Sequence, residues 1–218
     1  MSFFENLSVS TSGERDQMIR LPVIQRALSG DVSRQEYLDY LGQAYHHVKH
    51  TVPLLMACGA RLPERLNWLR AAVATYIGEE IGHEEWILDD IAAAGGDPEA
   101  LRNSQPHPAT ELMVSYAYDT IQRRNPAGFF GMVYVLEGTS VNLAHRAAEA
   151  IRTNLGLPQT AFRYLTSHGS VDQGHIAFLE QLVNRLEDPA DKDEIVHCTR
   201  MFFQLYGDVF RSVARTLS

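Results

Sequence analysis

The stretch SRQEYLDYLGQAYHHVKHTVPLL, residues 33–55, decides the fold class. It opens on Ser33-Arg34-Gln35-Glu36, a capping box, in which a serine hydroxyl and a glutamate carboxylate satisfy free N–H groups at a helix start. Apolar residues then recur at Leu38, Leu41, Tyr45, Val48, Val52 and Leu55, the period of a helix and not the alternation of a strand. Pro53 brings no N–H and is expected to kink this helix.

Similar punctuation recurs on both sides. Upstream, Gly13 to Leu28 reads as a weaker helix, with Pro22 against its continuity. Downstream, Pro63-Glu64 opens a long helix that Gly95-Gly96 stops. Ser104 to Pro108 is a loop, and Thr110 to about Arg123 a shorter helix. Asn125-Pro126 caps a helix that runs to about Asn154. Pro158 begins another, ending near Asp188-Pro189, and a last helix reaches the C-terminus. No strand alternation, internal repeat or low-complexity segment interrupts the series. The expectation is an all-α protein, one domain over residues 1–218, built as a single bundle of about seven helices whose interior would hold any cofactor.

Composition narrows the function classes. Hydrophobic residues make up 45% of the 218, enough for a sizeable core. The formal net charge is −8, so the basic footprint of a nucleic-acid binder is absent. No apolar run approaches the roughly 20 residues that span a bilayer. The N-terminus lacks a basic start followed by an apolar core, so no secretory signal is read. Cys58 and Cys198 form neither a disulfide framework nor a zinc motif. A cytoplasmic protein with reduced thiols is expected.

The functional signal is polar residues on apolar stripes. A buried charge without a partner is very unfavourable. Projected at about 100° per residue, His168, Asp172 and His175 fall within an arc of about 60°, on the face that carries Ala161, Tyr164, Leu165, Leu179 and Leu182. Glu137 is the one acidic residue on a stripe of Val133, Val141, Ala144 and Ala148. Glu80 projects with Leu69, Val73, Ile87 and Ile91, and His83 follows one turn later, a Glu-x-x-His spacing used by di-iron bundles. Each has a plain alternative: a lone buried histidine is often a satisfied core residue, and an inward glutamate can be an ion-pair partner. Together they make three carboxylates and three imidazoles, the donor set of a dinuclear site. Glu84 also projects inward as a reserve ligand, whereas Glu79 and Glu85 are expected to face water. His46, His47 and His50 are assigned to a substrate cavity or the surface, with His46 a possible further ligand. Tyr45, Tyr76 and Tyr164 are candidate pocket residues. No phosphate loop and no nucleophile elbow is present.

The order Glu80-x-x-His83, then Glu137, then His168-x3-Asp172-x2-His175 resembles the haem-oxygenase-like di-iron oxidases and oxygenases. The resemblance implies a seven-helix fold, often dimeric, that binds two Fe(II) ions and uses dioxygen to oxidise an amino acid, an amine, a fatty acid or a related small molecule. It implies bridging by Glu137 or Glu80, terminal His83, His168 and His175, and a further ligand for which Glu84 comes first and His46 second. Manganese also suits such donors. Relatives on the same fold are alternatives. Haem oxygenases bind haem through a histidine on the first helix, but no histidine precedes His46 here. TenA-type thiaminases have an Asp where Ala44 stands, a mid-chain cysteine, and a Glu on the last helix that residues 202–218 lack. Cofactor-free oxidases related to the pyrroloquinoline quinone pathway, and a non-catalytic helical binding protein, are further alternatives. The expected partners are a small-molecule substrate, dioxygen and a second copy of the chain, with no nucleic acid and no membrane.

Overall fold

The computed structural model describes residues 1–215, leaving aside the side chains of residues 168–173 and 214–215. It is all-helical among the described residues. In chain order the helices are α1 (Phe3–Ser10), α2 (Ser12–Ile19), α3 (Pro22–Ser29), α4 (Arg34–Val48), α5 (Thr51–Arg61), α6 (Asn67–Glu80), α7 (His83–Ala93), α8 (Pro98–Arg102), α9 (Pro108–Arg123), α10 (Phe129–Leu155), α11 (Arg163–Asn184) and α12 (Pro189–Arg215).

The expected rods are cut more finely than a count of seven, and each cut has a local cause. Pro22 is the first residue of α3, so the weak helix expected from Gly13 to Leu28 becomes two short ones, and a capping box of Ser2 and Glu5 starts a further helix, α1, ahead of them. The Ser33–Glu36 box starts α4 as read. Pro53 cannot donate to the Lys49 carbonyl and its ring crowds it. The chain therefore breaks at Lys49-His50 instead of kinking, and α5 begins at Thr51. The long helix expected from Pro63 to Gly95 is interrupted at Ile81-Gly82, where Gly82 takes φ 90°.

The 27-residue α10 runs through the bundle and packs against α11, α12 and α3. Its N-terminal turns are made for close approach: a Cβ on Gly131 would lie 2.7 Å from the Thr199 backbone nitrogen of α12. One core cluster holds Leu54, Tyr76, Phe130 and Phe202; a second holds Tyr37, Leu41, Ile87 and Phe162. Burial of a side chain of this size contributes about 1.5–3 kcal/mol each. Arg65 of the α5–α6 link clamps Asp191 of α12 with two hydrogen bonds of 2.5 and 2.9 Å. Asn125 adds a third bond to Asp191, at 2.8 Å.

The start of α11 is held from another helix. Asp90 of α7, fully buried, accepts the backbone N–H groups of Arg163 at 2.9 Å and Tyr164 at 2.8 Å. These are donors that a helix N-terminus leaves open. Burial outweighs the two donors and pushes the Asp90 carboxyl up to about 6. Asp90 thereby ties α7, which begins at His83, to α11, which carries His175.

Candidate metal centre and its cavity

Glu80 closes α6 and His83 opens α7. Between them Ile81 is extended and Gly82 is left-handed, a conformation open to glycine at no steric cost. The turn folds the two side chains onto each other, with His83 Nδ1 2.9 Å from Glu80 Oε2. Both are buried. The Glu-x-x-His pair is thus brought together, but not along one helix face as the spacing suggested. The His83 ring also lies against Trp86, with centroids 4.0 Å apart.

His175, on α11, supplies the second imidazole and is also buried. Its Nδ1 lies 3.6 Å from Glu80 Oε1 and 3.4 Å from Glu137 Oε1 of α10. Its Nε2 lies 3.0 Å from Glu79 Oε2, so Glu79 does not simply face water. Tyr76 packs edge-on to the His175 ring, at 5.1 Å, and its hydroxyl donates to the His175 carbonyl at 3.2 Å. Four of the six expected ligands therefore converge: Glu80, His83, Glu137 and His175. The side chains of His168 and Asp172 lie outside the described residues, although both positions belong to α11.

The two reserve ligands are not brought to this group. Glu84 is half-buried on α7, and among the described residues no hydrogen bond or ion pair joins it to these four. His46 bonds to Ser104 Oγ at 2.9 Å and meets Lys49 Nζ at 3.2 Å. Burial, then the Lys49 charge, push the His46 imidazole down to about 4.

Glu80 and Glu137 also line a cavity of about 170 Å³. Its walls draw on both core clusters, so it runs along the seam between them. They are mostly aliphatic and aromatic: Ile24 and Leu28 of α3, Leu54 of α5, Met132, Leu143 and Ala144 of α10, and Phe210 of α12. Tyr76 and Tyr164 line it as expected. Tyr45 does not; its ring lies under the Lys49 ammonium, 5.2 Å away. Sequence reasoning missed Tyr206, which projecting the last helix would have found, and left His47 between cavity and surface. His47 is buried, lines the cavity and meets the Tyr206 ring edge-on at 5.9 Å. Among the described lining residues there is no lysine or arginine.

The donor set fits iron. Two carboxylates and two imidazoles face one another in the interior, and neither thiol belongs to the group. Cys58 contacts the Pro126 carbonyl, and burial pushes it up to about 12; Cys198 lies beside Glu194 and Tyr116. Hard oxygen donors with imidazole nitrogen suit Fe or Mn and disfavour structural zinc. The described side chains hydrogen-bond to one another, and among them no set of three closes into an ion-holding geometry.

Comparisons with known proteins agree with the fold and with the metal. A domain of unknown function with a haem-oxygenase-like fold from Shewanella denitrificans superposes with a TM-score of 0.89 at 24% identity, over 98% of this chain and 92% of that one. A TenA homologue from Pseudomonas syringae pv. tomato gives 0.81 at 12% identity, over 97% and 92%. Haem oxygenase-2 from Synechocystis, solved with haem and NO, gives 0.78 at 17% identity, over 98% and 85%. At these identities the likeness establishes a haem-oxygenase-like fold. No curated protein matches the sequence. No helix among the described residues is long and apolar enough to cross a membrane. A family model described as iron-containing redox enzyme matches residues 38–207, most of the chain and all four gathered ligand candidates, and this chain belongs to that family.

Proposed function

We propose that this protein is a non-haem di-iron enzyme that uses dioxygen to oxidise a small molecule with an apolar chain. The observation that carries the reading is that Glu80 and Glu137 face His175 and also line an apolar cavity. Glu80, His83, Glu137 and His175 would hold iron, joined by His168 and Asp172 from α11. The absence of any histidine before His46 speaks against an axial haem ligand on the first helices.

Iron bound by these groups supplies the activation of dioxygen. The protein's own part is binding and exclusion. The aliphatic walls take the substrate's chain and keep water from the carboxylates. Tyr76 fixes the His175 carbonyl and ring edge, and Asp90 anchors the start of the helix that carries His175. His47, Tyr164 and Tyr206 are among the polar residues on the cavity wall beside which a polar head would lie. The chain is proposed to work as a homodimer, which sedimentation equilibrium measures.

Anaerobic titration with ferrous iron is the test. Two irons per chain, followed by a transient visible absorption on exposure to oxygen, is the expected result. A native protein that takes up no iron, with metal content indifferent to Asp172→Ala, would sink the reading.

A further inference from the structure

The geometry points to Glu79 as a positioning residue that decides which nitrogen of His175 faces the metal. The inference rests on the iron reading above and adds the orientation of one ligand, together with the residue that sets it.

Glu79 and Glu80 are the last two residues of α6. Neighbours on a helix project about 100° apart, so their carboxylates straddle whatever packs against that last turn. Here it is the His175 ring. Glu79 Oε2 is 3.0 Å from Nε2, while Glu80 Oε1 is 3.6 Å from Nδ1 on the other side. A carboxylate oxygen accepts, so the ring N–H belongs on Nε2. In the neutral ring this leaves the lone pair on Nδ1, the atom that also faces Glu137 Oε1 at 3.4 Å. Nδ1 is thus the ring nitrogen on the side of Glu80 and Glu137, the two carboxylates that would hold the metal with it. His175 is therefore set to ligate through Nδ1. A carboxylate on the far nitrogen fixes the tautomer and raises the basicity of the ligating one. The edge contact and carbonyl bond of Tyr76 hold the ring in this pose. Glu79 is half-exposed, with 49% of its side chain accessible, so its replacement leaves the core intact.

The experiment is an anaerobic Co(II) titration of wild type, Glu79→Ala and Glu79→Gln, followed by visible absorption, with far-UV circular dichroism as the check on folding. Glu79→Ala is expected to weaken Co(II) binding about 10–100-fold and to shift the ligand-field bands. Glu79→Gln keeps an amide oxygen that can accept the Nε2–H, and is expected to recover most of the affinity and the wild-type bands. Glu79→Ala binding within about twofold of wild type with unchanged bands overturns the inference while leaving the metal site standing. Equal weakening in both variants with unchanged bands marks a loss of local charge and also overturns it. Wild type that binds no Co(II) overturns the metal reading, and the inference with it.

Discussion

Glu80 and His83 meet at 2.9 Å across a joint between two helices, α6 and α7. A continuous helix would have stacked them one turn apart on the same rod. The chain instead stops at Glu80, reverses its local twist at Gly82, and restarts at His83. The pairing therefore depends on backbone conformation at one glycine as much as on the two side chains.

Gly82→Ala tests that dependence. A Cβ there would meet nothing within 4 Å, so any effect comes from φ 90° alone. The left-handed region costs a residue with a side chain about 1–2 kcal/mol. Urea denaturation should show a loss of that size, together with weaker binding of Fe(II). A variant as stable as wild type would mean that the joint does not hold this conformation.

Gly131→Ala should be costly for a different reason. Its Cβ would fall 2.7 Å from the Thr199 nitrogen and 2.9 Å from the Ile195 carbonyl oxygen, both backbone atoms that cannot swing aside. Overpacking of this kind costs about 1–3 kcal/mol. Gly78→Ala, at an exposed position of α6 with nothing within 4 Å of the new carbon, is the control and should stabilise by about 0.5–1 kcal/mol. Equal melting temperatures for the two variants would contradict the proposed α10–α12 contact.

Asp90 gives the fold a pH dependence of known sign. Its carboxyl is raised from 3.8 to about 6 by burial, so the folded chain holds this proton more tightly than the unfolded one. The contribution to stability is then fully present below about 4, declines as pH rises towards 6, and is level above it. The drop is on the order of 3 kcal/mol. Urea titrations of wild type and Asp90→Asn at pH 4.5, 5.5 and 7 should show this component in the first and not in the second. Parallel curves for the two proteins would remove Asp90 as its source.

Ala144 lies two turns after Glu137 on the cavity side of α10 and is buried. Ala144→Phe would fill part of the 170 Å³ space. Iron content should stay at the wild-type level while oxygen uptake driven by an apolar-chain substrate falls about tenfold or more. Unchanged uptake would place the substrate elsewhere.

The parts of the fold written in local chemistry were legible in the sequence. The Ser33–Glu36 box and Asn125-Pro126 ahead of α10 act where local rules put them, whereas α9 starts at Pro108, two residues before the expected Thr110. The joint at Ile81-Gly82 was not, because an isolated glycine in a helical pattern is tolerated and does not by itself mark a break. Glu84, inward on an unbroken helix, stands half-buried on the separate α7; Glu79, expected to face water, is half-exposed and reaches His175 of α11, a neighbour its own helix does not reveal. Glu137 stood out as the one acidic residue on its stripe, and His175 as one of three ligand-type residues at helical spacing; the structure places both beside Glu80. His47 and Tyr206 were harder to place, since their roles depend on which helices meet at the cavity, a relation between distant segments that no window of sequence contains.

The exposed Ile81, with 65% of its surface accessible, sits in the joint that separates the two halves of the Glu80–His83 pair. A cation gripping both residues would act as a staple across that joint, so ion affinity and local order become one quantity. Ile81 is then the reporter of that link: a metal held across the joint would slow limited proteolysis there.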